Sequence, residues 1–178
     1  MRIILTLVFL ALASTAGAQD ATTTVPPVLT LDQDRLFNQS AYGRAVVAEI
    51  ARRSDDLAAE NRRIEQELTV EEQDLTDRRP SLESAEFREL ADAFDAKVER
   101  IRREQAQKAV DLNVWIEEQQ KRFFDSVFPV LANLTEELGA SVIIDRRFAL
   151  IALDRTDVTN LAILKVDQVL GDGTKPVE

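Results

Sequence analysis

The sequence contains no cysteine and no histidine. Without cysteine there is no disulfide, no thiolate nucleophile and no thiolate metal site. Without histidine there is no His-based triad, no imidazole ligand and no group that titrates near neutral pH unaided. Glycine occurs only five times, and no Gly-rich phosphate loop is present. Lys and Arg number 22 against 32 Asp and Glu, a formal net charge of −10. Bulk nucleic-acid binding needs a clustered basic face, so this balance argues against it. Serine and threonine have no His base and no Ser-x-x-Lys partner. The carboxylates lie on charged helix faces, many within three or four residues of an Arg or Lys, which is the pattern of a solvated face rather than of a glycosidase pair. No enzyme, catalytic residue, metal site or cofactor is expected.

What the sequence has is a long helical repeat. From Leu90, every eleventh residue reads Leu90, Ile101, Leu112, Phe123, Leu134. From Phe94 the row is Phe94, Gln105, Ile116, Val127, Leu138, and from Phe87 it is Phe87, Val98, Ala109, Gln120, Leu131. Eleven residues in three turns is close to a straight α-helix, so one apolar stripe persists along the whole segment. At 1.5 Å per residue, residues 84–138 span roughly 80 Å. Such a rod projects from a small domain, and its stripe meets another helix or a ligand.

A partner helix precedes it. From Ala41 to about Arg79 a seven-residue seam reads Val47, Ile50, Ser54, Leu57, Asn61, Ile64, Leu68, Glu71, Leu75, diluted by its polar members. Pro80 ends this helix and marks a tip, and Ser81 or Ser84 can cap the returning one. The spacing predicts an antiparallel helical hairpin over 41–138 with its tip near 80–84. Pro129 predicts a bend or break near Phe128. Val130 to Leu138 then forms a buried base that ends at Gly139.

The flanks are smaller. Residues 1–18 carry Arg2, an apolar run from Ile3 to Ala13 and Ala16-Gly17-Ala18, the form of a cleaved export signal, too short to span a bilayer. Residues 19–27 read as a Thr- and Pro-rich tail. Val28–Asp32 reads as a short strand, and Asn38, Gln39 or Ser40 can cap the first long helix. Ser141–Asp145 and Phe148–Leu153 read as two strands of a β-hairpin around Arg146-Arg147. Asp157 or Thr159 caps a last amphipathic helix, and residues 172–178 form a polar tail. The fold class is α+β, mostly α: a body of about three strands from 28–40 and 139–171, with the hairpin as an arm between its halves. The residues expected in the core of the body or of a trimer built on it are Leu29, Leu31, Val142, Ile143, Ile144, Leu150 and Ile151. So small a split core is below the usual size for independent folding, and oligomerisation is the remedy.

The layout and these residues resemble the Skp/OmpH family of periplasmic chaperones. The match runs from Val28 to about Leu170. Its most specific part is Gly139-Ala140-Ser141-Val142-Ile143-Ile144-Asp145-Arg146-Arg147, followed by Asp157-Val158-Thr159. Leu31-Asp32 with Arg35-Leu36-Phe37 resembles the family's first strand and the residues just after it. The resemblance implies a homotrimer whose arms enclose unfolded outer-membrane proteins in the periplasm, without ATP. Familiar members are basic, whereas this chain is acidic, which argues against attraction to anionic lipid or lipopolysaccharide. Most of the arm stripe packs helix on helix. Leu82 and Phe87 near the tip, with Val114, Trp115 and Phe124 off the main rows, are the candidate client contacts. The competing reading is a coiled-coil spacer in the cell envelope, for which no anchor or wall-binding motif is evident.

Overall fold

The computed structural model describes residues 27–174. The expected export signal, nearly all of the tail at 19–27, and residues 175–178 of the C-terminal tail lie outside the described residues. The chain opens with β1 (Val28–Leu31), which pairs in parallel with β2 (Val142–Asp145). The register sets Val28 opposite Val142 and Leu31 opposite Asp145. Parallel strands need a crossover connection, and here that crossover is the entire helical hairpin. On the other side of β1, Thr30 bridges to Asp157, and the Val158 N–H donates to the Thr30 carbonyl at 2.9 Å.

A short helix, α1 (Gln33–Gln39), comes after β1, started by the Asp32 carboxylate accepting the Arg35 N–H at 2.8 Å. Sequence reading passes over it, because seven residues are too few for a helical period to declare itself. The first long helix, α2 (Ala41–Arg78), is capped by Ser40, whose Oγ accepts the Gly43 N–H at 3.2 Å. Gly43 is buried under the end of α1: a Cβ there would lie 1.6 Å from the Phe37 carbonyl oxygen. Only glycine lets the two helices meet so closely.

A 3-10 turn, Arg79–Ser81, forms the tip, with Pro80 in its first turn. The returning helix α3 runs from Ser84 to Glu137. Neither Ser81 nor Ser84 caps it. Its N-cap residue is Glu83, without a side-chain bond, while the Ser81 hydroxyl donates back to the Arg78 carbonyl at 2.7 Å. No break occurs at Pro129, which lies inside α3. Pro129 and Asp125, whose carbonyl loses its donor, are both exposed, so the lost bond falls on the solvent side of the helix. Buried Val127, Val130, Leu131 and Leu134 hold the helix on both sides of the proline. Gly139 ends it with φ +62°, its N–H bonded to the Glu136 carbonyl at 3.0 Å.

The expected β-hairpin does not form. The sheet of the described residues has two strands, not three. After β2, Asp145 accepts the Arg147 N–H at 2.8 Å and starts a 3-10 turn, Arg146–Phe148. The turn carries the chain away from the sheet edge, and residues 149–153 pair with no strand. A second 3-10 turn, Asp154–Thr156, leads to the last helix, α4 (Thr159–Leu170).

The core is mainly helical. Leu36, Phe123, Val127, Leu134, Ala162 and Val166 are almost fully buried, with Leu31 against them from β1. Of the expected body-core set, Leu29 and Leu31 are buried, and Ile143 and Ile144 are half-buried. Val142, Leu150 and Ile151 are exposed in the single chain, the last two at 99% and 84%. They are not core residues of the protomer, because the strand that would bury them is absent.

Candidate functional site

The arm is pinned by polar cross-links at matched steps. Lys97 on α3 reaches Glu71 on α2, and eleven residues further along both helices Lys108 reaches Glu60 at 2.5 Å. Seven residues beyond that pair, Arg53 lays its guanidinium over the Trp115 ring, 4.0 Å from the centroid. Matched steps in opposite directions define an antiparallel register. Along the arm, Ile50, Leu57, Ile64, Leu68 and Leu75 of α2 and Leu90, Phe94, Ile101, Leu112 and Ile116 of α3 are all half-buried. The two eleven-residue rows from Leu90 and Phe94 point inward as expected, apart from exposed Leu138. In α2 the seam differs at three places: Val47, Ser54 and Asn61 are exposed, while Val46 and Glu60 turn inward.

The candidate client contacts are dispersed. Leu82 and Phe87 are half-buried at the tip, where Arg79 covers the Phe87 ring at 5.2 Å. Trp115 lies roughly 40 Å further along α3. Its indole lines a shallow cavity of about 240 Å³ with Leu57 and Leu112. Val114 is exposed beside it. Phe124 belongs to the body: it packs edge-on to Phe123 at 5.1 Å and stacks on Phe37 at 6.4 Å. The structure therefore brings no two of these three groups together. A client that touched all of them would lie along the arm.

Sequence reading missed a second apolar surface, on the body. Phe148 is 85% exposed, and with Leu150, Ile151 and Leu153 it forms a bare apolar run on the loop after β2. Phe128 is also exposed, and it lines a groove of about 450 Å³ with Leu131, Val142 and Ile143. The apolar run was visible in the sequence. Its exposure was not, since a run of that length fits a buried strand equally well.

Ionic contacts organise the body around these surfaces. Asp145 is buried and bonds the Arg147 guanidinium at 2.7 Å, and this hydrogen bond holds its carboxyl below the usual range. Asp157 is pushed up by burial, but hydrogen bonds from the Thr159 hydroxyl and N–H and the charge of Arg146 more than reverse that. Its Oδ1 accepts the Thr159 N–H at 2.9 Å, so Asp157 serves the first turn of α4, although Val158 is the N-cap residue by geometry. Thr159 is the first residue of that helix and is fully buried. Among the described residues no group of His, Cys, Asp and Glu could hold a metal ion, and no helix is long and apolar enough to cross a membrane.

A two-stranded parallel sheet clasped by short helices, with a long antiparallel hairpin inserted between its strands, defines an α+β fold of the hairpin-armed type. The family model for outer membrane protein (OmpH-like) matches residues 27–166, and the chain belongs to that family. A solved structure from Caulobacter crescentus CB15, described as a candidate outer membrane chaperone (OmpH-like), superposes with a TM-score of 0.79 at 18% identity. The likeness covers 86% of this chain and 91% of that one. No curated protein matches the sequence.

Proposed function

We propose that this protein is an ATP-independent holdase of the periplasm, a homotrimer that keeps unfolded outer-membrane proteins from aggregating between its arms. The observation that carries the reading is the pairing of a projecting arm with a bare apolar run on the body. Phe148, Leu150 and Ile151 expose apolar surface that a stable soluble monomer would hide. Packing against sister copies covers it and builds the oligomer. The arms then supply many weak contacts, at Leu82, Phe87, Val114 and Trp115. Several weak contacts on one body give avidity while each stays quickly reversible, so release needs no hydrolysis. Family membership and the export signal read in residues 1–18 support the periplasmic setting. The net charge of −10 keeps the empty arms hydrated and disfavours anionic lipid or lipopolysaccharide as partners.

Light-scattering mass measurement of the mature protein, alone and with an unfolded outer-membrane barrel, tests this. The expected masses are those of a trimer and of a trimer carrying one client. A monomer, or a trimer whose mass is unchanged at client excess, would overturn the proposal.

A further inference from the structure

Midway along the arm the two helices leave a gap in their packing. A groove of about 570 Å³ opens between them, walled by Ile64, Leu68, Phe94, Val98 and Ile101. Its physical origin lies in the two repeats. The seven-residue stripe of α2 drifts in one sense around a straight helix and the eleven-residue stripe of α3 in the other, so the seams cannot match everywhere. The rim carries more acid than base: Glu65, Glu72, Asp95 and Glu99 line the groove beside one cation, Arg102. Glu99 is paired with Arg103 at 3.5 Å, whereas Glu65, Glu72 and Asp95 take part in no ion pair among the described residues. Gln105 closes one end. Its Nε2 donates to Glu60 at 3.4 Å, while its Oε1 is buried with no hydrogen-bond partner. Charge is also distributed unevenly along the arm. From Glu65 to Asp95 there are eleven carboxylates against Arg78, Arg79 and Arg88, whereas the remainder of 41–138 is balanced.

We propose that this groove is a docking site for cationic, amphipathic segments of unfolded polypeptide, in which Lys or Arg alternates with apolar residues. The apolar wall takes the aliphatic side chains. Glu65, Glu72 and Asp95 pair with the cationic ones. Charge complementarity selects the occupant: an acidic or neutral segment would leave three carboxylates facing it unpaired. The site rests on the reading that the arm receives unfolded chain, and it adds a charge preference to that reading.

The test is fluorescence anisotropy on the full-length mature protein with three short labelled peptides: one alternating Leu with Lys, one alternating Leu with Glu, and one alternating Ser with Lys. The Leu/Lys peptide is expected to bind at least roughly tenfold tighter than either of the others, with affinity falling as salt rises. The triple variant Glu65→Gln, Glu72→Gln, Asp95→Asn should lose that advantage. A charge-matched control, Glu89→Gln, Glu117→Gln, Glu118→Gln, should keep it. Equal binding of the Leu/Glu or Ser/Lys peptide, or equal loss in the control triple, would overturn the proposal. Because the readout is binding of a peptide and not suppression of client aggregation, this outcome is independent of holdase activity: client protection by a protein that shows no peptide preference would remove the groove and leave the chaperone.

Discussion

The backbone N–H of Asp32 donates to Thr159 Oγ1 at 2.9 Å, joining two residues that stand 127 apart in sequence. The same hydroxyl donates to Asp157 Oδ1 at 2.5 Å. One buried side chain thus ties the exit of β1 to the start of α4, and it closes the body across the whole inserted arm. Thr159→Val keeps the shape but removes the hydroxyl, leaving a buried N–H and a carboxylate each short of a partner. A loss of about 2–3 kcal/mol in urea unfolding is expected, with Thr159→Ser losing far less. A Val variant within about 0.5 kcal/mol of the native protein would contradict this role.

Acid should loosen the body. Asp145 and Asp157 both sit below the ordinary carboxylate range in the folded state, Asp145 chiefly through Arg147, and Asp157 because Thr159 and Arg146 outweigh its burial. A depressed folded-state pKa stabilises only while the group is ionised. That stability is fully present above the unfolded value, about pH 4, and is lost as pH falls through the folded values. The melting temperature should therefore be flat from about pH 8 to pH 5 and fall below about pH 4. In Asp145→Asn the fall should be shallower, because one of the two groups no longer titrates. An unchanged slope in that variant would show that Asp145 is not linked to folding.

Gln105 gives a prediction of the opposite sign. Its Oε1 is buried and unpaired, a cost the arm carries. Gln105→Leu removes the orphan acceptor at similar volume and should raise stability by about 1 kcal/mol, read as a higher urea midpoint. A lower midpoint would mean that the amide is satisfied in solution.

Under the proposed trimer, substitutions in the body loop should separate folding from assembly. Leu150 and Ile151 are exposed in the single chain, so Asp at both positions should change protomer folding by no more than about 0.5 kcal/mol. The same change should abolish the oligomer if that run is the interface. The expected result is a helical circular-dichroism spectrum with a monomeric mass. A retained trimer would place the interface elsewhere. Ile144 is half-buried on β2, and Ile144→Asp should harm both folding and assembly.

How much of this was legible in the sequence depends on the length of the signal. The arm was readable because α3 sustains one period across 54 residues, so single exceptions such as Gln105 could not obscure it. Gly139 and Pro80 also marked real ends, since their backbones permit little else. The seven residues of α1 carried too few turns to show a period. Phe148–Leu153 misled because an apolar run encodes burial somewhere, not burial within its own chain. The same gap limited the site: Trp115 was conspicuous by composition, but the guanidinium of Arg53 above it depends on the register of two helices. The groove beside Gln105 depends on that register as well.

The central claim is that this protein holds unfolded membrane proteins without nucleotide. The most direct measurement is light scattering after a urea-unfolded outer-membrane barrel is diluted into buffer containing the mature protein and no ATP. The account predicts that scattering is suppressed at trimer excess, and that Leu82→Ser, Phe87→Ser and Trp115→Ser together weaken protection more than they lower the melting temperature. Unsuppressed scattering with the native protein at trimer excess would contradict the chaperone reading and leave a coiled-coil spacer of the envelope in its place.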